Sequence, residues 1–156
     1  TVALRFLQFG ELCIEEEQDI VYRDPGGPVP TPTVAPWPPV PETSWTHMLQ
    51  PDSRLLFRFS ALTFNAHRIH YDRPYAREVE GYPGLVVHGP LMAVLLAQLV
   101  RRCSPRPMRS FEFRGVTPAF DLGPLRLVGT PEGDRVALQA QGPDGKAALL
   151  ASATLG

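Results

Sequence analysis

At 156 residues the chain has room for one ordinary domain and not for two full ones. With 44% hydrophobic and 20% charged residues it is globular rather than disordered, and a net charge of -1 excludes any bulk attraction to nucleic acid, so an anion site must be local. No run of about 18 apolar residues offers a membrane span, and residues 1–10 lack the basic head, apolar stretch and small-residue cleavage site of a signal peptide.

Cys13 and Cys103 lie far apart, without metal-ligand spacing to a histidine, and are read as two buried free thiols. Free thiols and the missing targeting pattern point to the cytoplasm, with the mitochondrion as the alternative.

In chain order, residues 11–23 alternate loosely and predict one or two strands, with the Glu15-Glu16-Glu17 run as a solvated strand end or turn. Half of the 18 prolines then fall in residues 25–51, which rules out helix or central strand and predicts an extended, polyproline-like connector. Trp37 and Trp45 predict that this connector lies on a surface. Residues 54–60 alternate and predict a strand. Residues 61–83 predict a loop with a short helix near 74–80.

Gly89-Pro90 is a helix start, because proline tolerates the first helical turn. The run 91–100 is apolar on every face, which predicts a buried helix, with Arg101 and Arg102 at its favourable end and Ser104-Pro105 as its stop. Strands follow at 111–116, 125–128, 135–140 and 147–155, the last two flanking a Pro143-Asp144-Gly145 turn. Three or four antiparallel strands wrapped round one apolar helix make an α+β, hot-dog arrangement.

Functional residue types concentrate in Ser60-Ala-Leu-Thr-Phe-Asn-Ala-His-Arg-Ile-His-Tyr-Asp72, which holds Asn65, His67 and His70, while His88 precedes the helix-starting Gly89. Three readings compete. A metal site built on His67, His70 and Asp72 lacks a thiolate or a second spaced pair. A structural reading makes these residues satisfied loop polar groups. Acid–base chemistry uses a histidine to move a proton, an amide to orient water and a helix N-terminus to hold an oxyanion.

The segment resembles the signature of MaoC-like hydratases, roughly Ser-Ala-x-Thr-Gly-Asp-x-Asn-Pro-Ile-His-x-Asp-x-x-Tyr-Ala. The matching positions are Ser60, Ala61, Thr63, Ile69, His70, Asp72, Tyr75 and Ala76. Residues 84–92, Gly-Leu-Val-Val-His-Gly-Pro-Leu-Met, resemble the family's block before its central helix. Phe64, Asn65, His67 and Arg68 depart from the family's Gly, Asp and Asn-Pro. That variant is similar to a subgroup of mitochondrial 3-hydroxyacyl-thioester dehydratases and mesaconyl-CoA hydratases.

The resemblance implies reversible hydration of an enoyl thioester of coenzyme A or acyl-carrier protein, as part of fatty-acid metabolism, with no metal or redox cofactor. It implies His70 as the acid–base group, Asn65 as the residue that positions water or substrate, and the Gly89 amide as oxyanion donor. Phe64, His67, Arg68, Tyr71, Asp72, Arg73 and His88 are the implied substrate-contacting set, His88 alternatively shaping its turn, Arg68 and Arg73 as ligands for a carboxylate or phosphate. It also implies a homodimer or pairing with a second repeat. Residues 1–24 then read as the remnant of a preceding repeat, 25–52 as connector and 53–156 as the catalytic domain. Thioesterase activity, which the same fold hosts, and a non-catalytic acyl-thioester-binding module are the rival readings.

Overall fold

The computed structural model describes residues 1–20 and 28–156. The expectations that fall on 21–27 lie outside the described residues.

Strands β1 (Val2–Gln8) and β2 (Glu11–Gln18) form a two-stranded antiparallel sheet of their own. The Glu15–Glu17 run forms the largely solvated end of β2, as expected. Cys13 stands at the irregularity where the register slips, and it is exposed, as is Cys103 near the end of the long helix. The cysteines are free, as expected, but exposed rather than buried.

The main sheet has five antiparallel strands in the order β3-β5-β6-β7-β4. These are β3 (Trp45–Leu49), β4 (Met108–Gly115), β5 (Leu125–Glu132), β6 (Arg135–Gln141) and β7 (Ala147–Leu155). The last four match the predicted strands. The β6–β7 hairpin turns with Gly145 at φ +76°, a conformation glycine adopts without a Cβ penalty. β3 corrects the connector reading: residues 45–49 pair with β5 at the sheet edge instead of continuing the extended run. No proline falls within 45–49, so no backbone N–H that faces β5 is missing from the ladder. The preceding stretch is tied down: the Trp37 indole donates to Gly142 O at 2.8 Å, and Arg126 donates to Pro38 O at 2.6 Å.

Residues 54–60 also need correction. They lie in helix α1 (Ser53–Thr63), not a strand. Asp52 caps it, accepting from Leu55 N at 2.8 Å. Leu56 and Ser60 are buried one turn apart, with Leu55 and Phe59 half-buried beside them. This four-residue period outweighs the apparent alternation. Phe64 ends the helix in the left-handed conformation, φ 53°.

Helix α2 (Gly89–Cys103) lies across the sheet. Leu91, Met92, Leu96, Leu99 and Val100 enter one core with Leu125, Leu127, Val136, Leu138 and Leu149. Each leucine so buried contributes roughly 1.5–3 kcal/mol. Burial on every face was expected, but one stripe stays open: Pro90, Val94 and Gln98 are exposed, with Val94 at 56%. The sheet covers only the opposite side. No helix among the described residues is long and apolar enough to cross a membrane.

Candidate active site

The site forms where the loop after α1 meets the segment leading into α2. A short 3-10 turn, Arg68–His70, buries Ile69 and His70. Val86 fastens it twice: Val86 N donates to Ile69 O at 3.0 Å, and Val86 O lies 2.7 Å from His70 Nδ1. A carbonyl can only accept, so Nδ1 carries the proton and Nε2 of the neutral ring holds a free lone pair. Nε2 has no hydrogen-bond partner among the described residues and is not sealed from solvent. The ring as a whole is 8% exposed. Burial pushes His70 below the ordinary imidazole range; the Val86 bond opposes this and nearby His67 adds to it.

His88, the residue before α2, is 1% exposed and stacks on His70 with centroids 3.6 Å apart and planes at 17°. Its Nε2 lies 2.9 Å from Ser60 Oγ. This contact brings the start of α2 beside His70. The first-turn amides of a helix have no intrahelical acceptor and carry the positive end of its dipole. A Cβ built on Gly89 meets nothing within 4 Å, so the helix start is uncrowded on that side.

The remaining predicted residues fall into two groups. Asn65 Oδ1 accepts from His67 N at 3.0 Å, which turns its NH2 into the group it can offer. The exposed His67 ring stands edge-on to His70, centroids 5.7 Å apart. Phe64 is 95% exposed, and Tyr71 donates its hydroxyl to Ala66 O at 2.9 Å, bracing the loop.

Both arginines, by contrast, are engaged. Arg68 reaches Asp72 through two nitrogens and lies 4.0 Å over the Tyr75 ring, while Asp72 Oδ1 accepts from Tyr75 N. Asp72 thus caps the short helical turn Tyr75–Val79, which lies in the predicted 74–80. Arg73 pairs through two nitrogens with Asp121, whose side chain is 3% exposed. A substrate anion at either arginine would have to displace a carboxylate. Among the described residues no group of three His, Cys, Asp or Glu is placed to hold a metal.

Asp121 was not anticipated. It accepts from Leu85 N at 2.9 Å, Asp121 N donates to Leu85 O at 3.0 Å, and Val87 N donates to Ala119 O at 2.8 Å. Gly84 makes room for it: a Cβ there would meet Asp121 Oδ1 at 2.8 Å and Leu122 Cγ at 2.9 Å. A groove of about 410 Å³ lies elsewhere, between connector residues 29–33 and residues 117–122 and 142–148, and does not include His70. The chemistry is marked by side chains rather than by volume.

Burial and the His70 neighbour hold His88 well below its ordinary value, at about 4. Because the folded value is depressed, the unfolded chain binds more protons as the medium turns acid. Stability is therefore whole above pH 6.5 and is lost as pH falls from 6.5 toward 4, by about 3 kcal/mol from His88 alone. Urea denaturation at pH 7.5 and pH 4.5 checks this; equal midpoints would contradict it.

Residues 4–121 match the family described as hydroxyacyl-thioester dehydratase type 2. The chain is 62% identical, over all of its length, to a mesaconyl-C(4)-CoA hydratase of Chloroflexus aurantiacus, and covers 55% of that protein. It is 38% identical over 120 residues to the mitochondrial hydroxyacyl-thioester dehydratase type 2 of Schizosaccharomyces pombe, covering 75% of this chain and 39% of that one. The chain thus spans about half the length, or less, of these relatives. Among solved structures, the (R)-hydratase of A. caviae involved in PHA biosynthesis superposes with a TM-score of 0.64 at 16% identity, over 72% of this chain and 92% of that one. A MaoC-like dehydratase gives 0.64 at 21% identity, over 85% and 43%. These two show the hot-dog fold, and the match over 4–121 carries the assignment further: the chain belongs to the hydroxyacyl-thioester dehydratase type 2 family.

Proposed function

We propose that this chain carries the His70-bearing part of a hydro-lyase that adds water reversibly across the double bond of an enoyl thioester. The observation that carries the reading is a single one: His70, its Nδ1–H tied to Val86 O, presents an unpaired Nε2 beside the N-terminal end of α2.

The steps follow from those positions. The thioester oxygen sits over the Gly89 N–H, which stabilises the negative charge that grows there as C3 is attacked. Asn65 orients the water through its NH2. His70 Nε2 takes one water proton as the oxygen bonds to C3, and returns a proton to C2 as the enolate collapses. Water is consumed whole, and the reverse path releases it. Phe64 and Tyr71 line the approach, and His67 is the uncommitted polar ring placed to meet an acyl carboxylate, since Arg68 and Arg73 are paired.

The name of the Chloroflexus relative makes mesaconyl-CoA the first acyl thioester to try. Coenzyme A, rather than acyl-carrier protein, is the carrier proposed. The exposed Val94 stripe of α2 and the separate β1–β2 sheet support pairing with a second hot-dog unit, in a dimer or in a longer chain. The proposed compartment is the cytoplasm, with the mitochondrion as the alternative that the yeast relative favours.

The test is loss of ultraviolet absorbance at the enoyl-thioester band with mesaconyl-CoA and with crotonyl-CoA. Loss of the band without free thiol is the expected result. Release of thiol would replace the reading with a thioesterase, and no change with either would leave an acyl-thioester-binding module.

A further inference from the structure

Three imidazoles crowd this site, and the reading above gives roles to His70 and His67 but none to His88. His88 is the most buried of them, and its contacts are all specific. One face of its ring meets His70 at 3.6 Å and 17°. Phe59, from α1, approaches at 4.9 Å and 65°, in an edge geometry. Nε2 is held by Ser60 Oγ, one turn before the end of α1, and Nδ1 has no partner among the described residues. A satisfied structural histidine would use both nitrogens. Here one is left over, while the flat face is fully used.

His70 needs such a face. Its one hydrogen bond, Nδ1 to Val86 O, fixes which nitrogen is protonated but leaves the ring free to tilt about that bond. A base must be held in plane with the water it deprotonates.

We propose that His88 is a positioning residue for the hydration reaction: an uncharged aromatic platform, locked by Ser60 and Phe59, that fixes the plane of the His70 ring and keeps water off one face of it. The inference rests on the hydratase reading for its kinetic consequences, and on geometry alone for its physical ones.

The platform stays neutral. A cationic His88 would have two N–H groups and one acceptor, in a position closed to water. The groups that face it are His70, with His67 beyond, from the 3-10 turn; Phe59 and Ser60, both uncharged, from α1; and its own segment, whose Val86 carbonyl is taken by His70. When His70 accepts the water proton, the proton stays on His70, because the stacked rings share no hydrogen bond along which it could pass. The same platform excludes water from His70, so the neutral, base-competent form of His70 persists to lower pH than in an open site.

Two substitutions separate a platform from a hydrogen-bond partner. His88→Gln keeps a polar atom for Ser60 and loses the flat ring; His88→Phe keeps the ring and loses the polar atoms. The platform predicts that His88→Gln lowers kcat on mesaconyl-CoA by ~10²-fold with KM little changed, as expected for a misaligned catalytic group. It also predicts that the acid limb of the kcat/KM profile moves up toward the ordinary imidazole range, and that His88→Phe restores most of both. The reverse order, with Gln better than Phe, overturns the proposal, and so does an acid limb that moves in neither variant. If His88→Gln does not fold, a His88→Phe protein that keeps kcat and acid limb supports the platform, and one that loses kcat overturns it.

The proposal is also tested if the wild type hydrates neither thioester, the result that defeats the functional reading. A 15N-histidine NMR titration then decides. His88 neutral throughout the titration of His70, with His70 low in wild type and His88→Phe, supports the platform; His88 protonating first, or with His70, overturns it.

Discussion

Replacing His70 with alanine lowers the turnover of enoyl-thioester hydration by about 10²–10⁴-fold, the usual worth of a positioned acid–base group. The loss falls on kcat. His70 Nε2 meets the attacking water, whereas the thioester oxygen is held by the Gly89 amide, which the substitution leaves in place. KM therefore changes little, the pattern of an interaction made only on the way to the transition state. The fold survives, because the two backbone bonds that close this corner, His70 N to His67 O and Val86 N to Ile69 O, do not involve the imidazole. Steady-state kinetics with mesaconyl-CoA, beside a circular dichroism melt, separate these effects. A variant that keeps wild-type kcat removes His70 from the mechanism.

Asp121→Ala has the second large effect, and it falls first on stability. The carboxylate is the only partner Arg73 has among the described residues, and it also accepts the Leu85 N–H. Removing it leaves the buried Leu85 amide without its acceptor, while the Arg73 guanidinium, 42% exposed, turns to water. An unsatisfied buried donor of this kind costs about 1–3 kcal/mol. Segment 84–88 carries both Val86 and His88, so turnover falls as well, even below the melting transition. Urea denaturation gives the first number and kcat well below the midpoint gives the second. Unchanged stability would mean that the clamp is not closed in solution.

The strands from 108 onward were legible from their alternation and their glycine and proline breaks, and the helix at 89 from its Gly-Pro start and unbroken apolar run. Residues 54–60 were not: Leu55, Phe57 and Phe59 alternate as in a strand, yet Asp52 caps a helix, and Leu56 with Ser60 supplies the stripe that it buries. β3 was hidden by its neighbours, since the prolines on either side made residues 45–49 look like more connector. In the site, the cluster of polar residues at 60–72 was visible from residue type, and the resemblance to MaoC-like hydratases singled out His70, Asn65 and Gly89 within and beside it. The Val86 carbonyl could not be read, because a backbone atom leaves no mark in a sequence. Asp121 lies 36 residues from the amide it holds, and only the fold shows that they meet. Arg68 and Arg73 looked like free cations for the same reason: their carboxylate partners are identified by proximity.

The edge position of β3 also orders events in time. Ser44 bonds Thr130, 86 residues further on, and the whole of α1, the active-site loop and α2 lies between them. A ribosome adding about 5–20 residues per second leaves β3 without its partner strand for on the order of ten seconds. Throughout that interval Trp45 and Leu49 have no sheet to rest on, and the His70 loop has been made before the Asp121 that holds its neighbouring segment. Pairings this distant also form slowly once both strands exist. The nascent chain therefore carries its active-site loop unsupported until Asp121 and β5 have been made, and a folding helper that shields residues 45–60 would act in that window.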